Sequence, residues 1–92
     1  MHGVTKSLFK AGYLYWIQME DMCYVKIGVA IDVRARLKEL QTGCPIDLKI
    51  LRMSPVANMY YAEREEHHRY KDYRMRGEWF LFPIEMLSSD AA

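Results

Sequence analysis

The stretch YVKIGVAIDVRARLKELQTG, residues 24–43, contains a strand, a short turn and a helix in twenty consecutive positions. Val25, Ile27 and Val29 alternate with Tyr24, Lys26 and Gly28, the period-two pattern of a strand with one apolar face. Lys26 therefore lies on the face opposite the most apolar set. Asp32 suits an N-cap, because its carboxylate can accept the free amides of a first turn. A helix follows over Val33–Thr42, with Gly43 as a left-handed C-cap and Pro45 barring continuation. At 100° per residue Val33, Leu37 and Leu40 form one stripe. Arg36 sits at the margin of that stripe and turns toward the protein body. Arg34 lies farther round, and Lys38 and Glu39 face water. Two cations, Lys26 and Arg36, are thus brought toward one place, which is costly unless an anion lies between them.

Upstream, YLYWIQM (13–19) is rich in aromatic and β-branched residues and reads as a strand. EDM makes a short turn into CYVKIGV (23–29), so the two strands form an antiparallel hairpin. Downstream, IDLKILR (46–52) is a third strand. A second helix begins near Asn58, again a capping residue, and runs to about Tyr73. Its outer face carries Tyr61, Arg64, Glu65, His68 and Asp72. The opposite face carries Met59, Tyr70 and Tyr73, together with Glu63, Glu66 and His67. Carboxylates on a packed face need partners, because burying one alone is expensive. RGEWFLFP (76–83) turns at Gly77 and gives a short aromatic strand or turn, and the tail adds at most one helical turn. The expected class is α+β, a small three-stranded antiparallel sheet flanked by helices, in one domain with its core over residues 12–83.

Composition narrows the function. Ninety-two residues, 51% of them hydrophobic, support one modest core. No apolar run approaches the ~20 residues of a membrane span, and the first residues lack the apolar stretch of a secretory signal. Cys23 and Cys44 are too few for a disulfide scaffold and read as free thiols of a reducing cytoplasm. With His67 and His68 they lack the close spacing of a zinc site. A net charge of +1 selects no partner, so local placement of charge must do so. The sequence shows no helix-turn-helix, zinc finger or basic tail, which implies low intrinsic sequence specificity and salt-sensitive binding.

YLYWI, then VKIG, then an arginine in the next helix resembles the GIY-YIG nuclease superfamily. RLKELQTGCP, AEREEHHRY and YRMRGEWF resemble, in order, segments of its short phage-type branch. Tyr13 stands where that pattern has glycine, and Lys26 where it has a tyrosine. The resemblance implies a metal-dependent DNA endonuclease. Tyr15 would be the base, Lys26 its assistant, Arg36 the transition-state stabiliser and Glu63 the ligand of Mg²⁺ or Mn²⁺. His67 would be an alternative base or would orient the water. Lys26, Arg34, Arg36, Arg74 and Arg76 would contact the nucleic acid. The chemistry is coherent. Arg offers a planar fork to phosphate oxygens, Mg²⁺ needs only one or two carboxylates plus substrate, and a nearby lysine favours a phenolate. The scissile phosphate would be the anion between Lys26 and Arg36. A second copy or a partner protein would supply specificity. The alternative is a module that binds nucleic acid or a partner on the same fold without turnover. Among the ordinary readings, Glu63 would pair structurally with Arg36 or Arg74, Glu66 would rival it as a ligand, and His67 would be a packing histidine.

Overall fold

The computed structural model describes residues 10–88. Five strands, β1 (Gly12–Met19), β2 (Tyr24–Ala30), β3 (Leu48–Val56), β4 (Arg74–Arg76) and β5 (Trp79–Leu81), form one antiparallel sheet in the order β3-β1-β2-β5-β4. Three α-helices accompany it among the described residues: α1 (Val33–Gln41), α2 (Met59–Arg69) and α3 (Ile84–Ser88). The α+β class holds, but the sheet has five strands where the sequence suggested three. No helix among the described residues is long and apolar enough to cross a membrane.

The β1–β2 hairpin is the centre of the sheet. Trp16 faces Ile27 and Tyr15 faces Gly28 across it, so each strand sends one set of side chains to either side. The turn between them passes through Asp21, whose φ is 65°. On one side Trp16, Val25, Ile27, Phe80, Phe82 and Leu87 are buried, with Tyr70 and Tyr73 against them. On the other, Tyr15, Ile17, Val33 and Leu48 are buried, with Leu37 and Leu40 of α1 completing the cluster.

Asp32 caps α1 by accepting from the Ala35 amide at 3.0 Å. The helix ends one residue short of the expected Thr42, which is its C-cap, and Gly43 follows with φ 81°. Asn58 caps α2 through the Tyr61 amide at 3.0 Å. α2 stops at Arg69, four residues before the expected end, and a 3-10 turn over Lys71–Tyr73 leads into β4.

β3 runs on to Val56, past the expected end at Arg52 and through Pro55. A proline lacks the amide a central ladder requires, but β3 is an edge strand, where none is needed on the outer side. The register slips between Trp16 and Ile17, which face Arg52 and Ile50. The slip leaves the Arg52 guanidinium 4.2 Å from the Trp16 ring centroid.

The remaining two strands flank Gly77, where the sequence suggested a turn and a short aromatic strand or turn after it. Gly77, with φ 56°, reverses the chain between β4 and β5. Phe80 and Phe82 then enter the core, with Phe82 stacked on Trp16 at 4.9 Å between ring centroids. β5 pairs with β2 only at Tyr24, Val25 and Lys26. Beyond that ladder the Ile27 amide still donates to the Glu78 carbonyl at 3.0 Å, and α2 lies against the rest of this edge of β2.

Candidate functional site

That edge is where the sequence-predicted residues meet. Gly28 belongs to β2 opposite Tyr15. A Cβ at Gly28 would come within 2.5 Å of the Tyr15 hydroxyl and 3.2 Å of the Glu78 carboxylate. The missing side chain is what lets the phenol of β1 and a carboxylate from the β4–β5 turn approach the same stretch of backbone. Tyr15 is buried, and its hydroxyl is hydrogen-bonded to Arg36 of α1. Lys26, two residues before Gly28 on the same face, pairs with Glu78 at 3.4 Å and sits 5.4 Å from the Trp79 ring centroid. Glu63 of α2 faces Glu78 closely enough for the two carboxyls to interact, and it feels the Lys26 charge. Four residues named from the sequence, Tyr15, Lys26, Arg36 and Glu63, therefore converge, and Glu78 joins them as a fifth.

The electrostatics follow from the packing. Burial and the neighbouring Glu78 carboxyl push the Glu63 carboxyl up to about 7, against a smaller opposing effect of Lys26. Glu63 therefore keeps its proton up to about neutral pH. Tyr15 is raised above its ordinary value of 10.0, by burial first, and the Arg36 hydrogen bond and charge only partly oppose this. Lys26 was expected to favour the Tyr15 phenolate, but its charge is directed at Glu78 instead. Arg36 is held further toward its charged form by Tyr15 and Glu39, and its Nη1 donates to Glu39 at 3.0 Å on the exposed side of α1. Each cation thus has its own anion in the free protein, Glu78 for Lys26 and Glu39 for Arg36.

His67 borders the site without joining the carboxylate pair. Its Nε2 lies 2.8 Å from the Ile27 carbonyl at the edge of β2. A carbonyl only accepts, so this nitrogen carries the proton and only Nδ1 is left as an acceptor. Glu66 is not a rival ligand, because its Oε2 accepts the Trp16 indole N–H at 2.8 Å. Arg34 is exposed on α1. Arg74 donates from Nε to the Gly77 carbonyl at 2.7 Å and holds the β4–β5 turn, and Arg76 is exposed beside it. Glu63 pairs with neither Arg36 nor Arg74. Among the described residues no three His, Cys, Asp or Glu side chains group closely enough to hold a metal ion by themselves. Cys23 and Cys44 are free.

Fold and site together define a small α+β domain that gathers a phenol, two cations and a carboxylate pair beside a central strand. Residues 12–90 match the T5orf172 domain, and the chain belongs to that family. The match overturns the resemblance to the GIY-YIG superfamily, which is a different family. Tyr13 and Lys26, in place of its glycine and tyrosine, are where that pattern departs from this sequence. No curated protein and no solved structure matches the chain.

Proposed function

We propose that this domain hydrolyses phosphodiester bonds in nucleic acid, with DNA as substrate and a divalent cation, Mg²⁺ or Mn²⁺, as cofactor. The observation that carries this reading is the convergence of Tyr15, Lys26, Arg36, Glu63 and Glu78 from five separate segments beside Gly28. A charged cluster of this kind does nothing for the core. It gives phosphate oxygens two cations and gives a metal two hard oxygen ligands.

The carboxylate pair fits Mg²⁺. Glu63 and Glu78 supply the one or two carboxylates such an ion takes from protein, and the proton that Glu63 retains to about 7 marks a place short of positive charge. Bound there, the ion would stabilise charge on the phosphoryl group and on the leaving oxygen. Arg36 presents its planar fork to the phosphoryl oxygens from the Tyr15 side. Lys26 exchanges part of its contact with Glu78 for the entering phosphate. Tyr15 takes the proton of the attacking water as its phenolate. Burial makes that phenolate a stronger base and a scarcer one, so the rate is expected to climb with pH through the alkaline range. His67 fixes α2 to β2 through its bond to Ile27 and so positions Glu63, one helical turn earlier.

Supercoiled plasmid with Mg²⁺ or Mn²⁺ tests the reading. Wild-type protein is expected to nick it, EDTA to stop the reaction, and Arg36→Ala and Glu63→Ala to slow it by at least about a hundredfold. Full nicking by both variants would sink the assignment. DNA binding that persists in EDTA, without cleavage under either metal, would leave a binding module in its place.

A further inference from the structure

An open apolar cavity lies next to the site along the same face of β2. It has a volume of about 300 Å³, and its lining includes Met19, Met22, Tyr24, Ile46, Met75 and Trp79, with Arg76. Tyr24, Lys26 and Gly28 point to one side of the strand, so the cavity lies one strand step beyond Lys26, about 7 Å from it along the backbone. Trp79 belongs to both places. It faces Lys26 across the β2–β5 ladder, lies under the Lys26 ammonium, and forms one wall of the cavity. The other walls are three thioethers, a phenol ring and the aliphatic side chain of Ile46, mostly soft and polarisable surfaces that suit a flat aromatic guest. Arg76 stands at the rim. Met22 and Met75 are left 41% and 57% exposed around it.

We infer that this cavity receives one unstacked nucleobase of the substrate strand, adjacent to the phosphate held between Lys26 and Arg36. The inference rests on the hydrolase reading and adds the substrate class: single-stranded nucleic acid, or a duplex with a base already splayed out. Three features commit the cavity to that occupant. Its walls are almost wholly apolar, which suits a base and repels a phosphate. The positive charges, Arg76 and Lys26, stand at its borders, where the flanking backbone would run. It is continuous with the candidate phosphate site through Trp79. Stacking on aromatic walls is indifferent to base identity, which agrees with low sequence specificity.

Binding in EDTA tests this apart from cleavage. The probes are a short oligothymidylate carrying 2-aminopurine and an abasic strand of equal length and charge. The base-bearing strand is expected to bind at least about tenfold more tightly, with a change in 2-aminopurine fluorescence. The double variant Met22→Ala/Met75→Ala is expected to lose most of that difference, and its thermal midpoint reports whether it folds. Equal affinity for the two strands would overturn the inference whatever the variant does. So would tighter binding to a fully paired duplex, or self-association of the chain that the double variant removes. Base-dependent binding without plasmid nicking would retire the hydrolase reading and keep the cavity assignment. Nicking without base dependence would do the reverse.

Discussion

The two faces of the sheet handle polar groups in opposite ways. On the Trp16 face the polar groups are closed off in pairs, with the indole N–H donating to Glu66, His67 Nε2 donating to the Ile27 carbonyl, and aromatic rings filling the surroundings. On the Tyr15 face Glu63, three residues earlier on the same helix, meets another carboxylate instead of a donor. Glu66 is therefore part of the packing, whereas Glu63 is held in an electrostatic arrangement that folding alone would not select. Both faces bury apolar side chains, but the Tyr15 face also stores unfavourable charge proximity, as a site awaiting ligands does.

The contrast is sharpest for Trp16→Ala. It should cost about 3–5 kcal/mol in urea unfolding, since a large ring leaves the core and Glu66 loses its donor. A loss below about 1 kcal/mol would erase the distinction between the faces. Arg36→Ala should do the reverse, lowering turnover by about 10²–10³ while stability stays within about 1 kcal/mol. Plasmid nicking and urea midpoints on the same preparation separate the two effects. Gly28→Ala should cost about 1–3 kcal/mol, because its methyl meets the Tyr15 hydroxyl and neither neighbour can retreat without disturbing the site. A midpoint equal to wild type would show that the close approach at Gly28 is dispensable.

The smallest effect follows from linkage. The Glu63 carboxyl is raised from 4.5 to about 7 on folding. Protonated Glu63 favours the folded state, so its contribution is complete below pH 4.5 and is lost as pH rises through 7. After allowance for solvent screening the loss is on the order of 1–2 kcal/mol. Urea midpoints at pH 5 and pH 8 in EDTA should therefore converge in Glu63→Gln, which should be the more stable protein at pH 8. Unchanged pH dependence in the variant would remove the carboxylate pairing from the account.

The part of the fold legible in sequence was the part governed by local rules. Asp32 and Asn58 cap the helices they were expected to cap, and Gly43 adopts its positive φ, because each acts within one turn of chain. What escaped depends on partners distant in sequence. Pro55 marks the end of a strand unless that strand is known to be at an edge. Residues 76–83 read as a turn at Gly77 with a short aromatic strand or turn, and their pairing as a hairpin shows only when β2 offers its ladder to Trp79 and Phe80. Missing that hairpin meant missing Glu78, although the need of Lys26 for an anion was visible. Glu66 and Glu63 share a helix face and cannot be told apart until Trp16 is seen to reach one of them. The convergence of Tyr15, Lys26, Arg36 and Glu63 was foreseen through a family likeness that the T5orf172 match replaces, so their roles rest on this geometry alone.

Strand order has one more consequence. The outer margin of β3 carries Pro55, which interrupts any continuous run of amide donors, along with Lys49 and Arg52. The opposite margin, β4, is three residues long and begins and ends in arginine. Both flanks are poor templates for lateral addition of another chain's strand. Two molecules crowded on one polymer should therefore meet through helices or loops, and the ladder of each stays closed to amyloid-like growth.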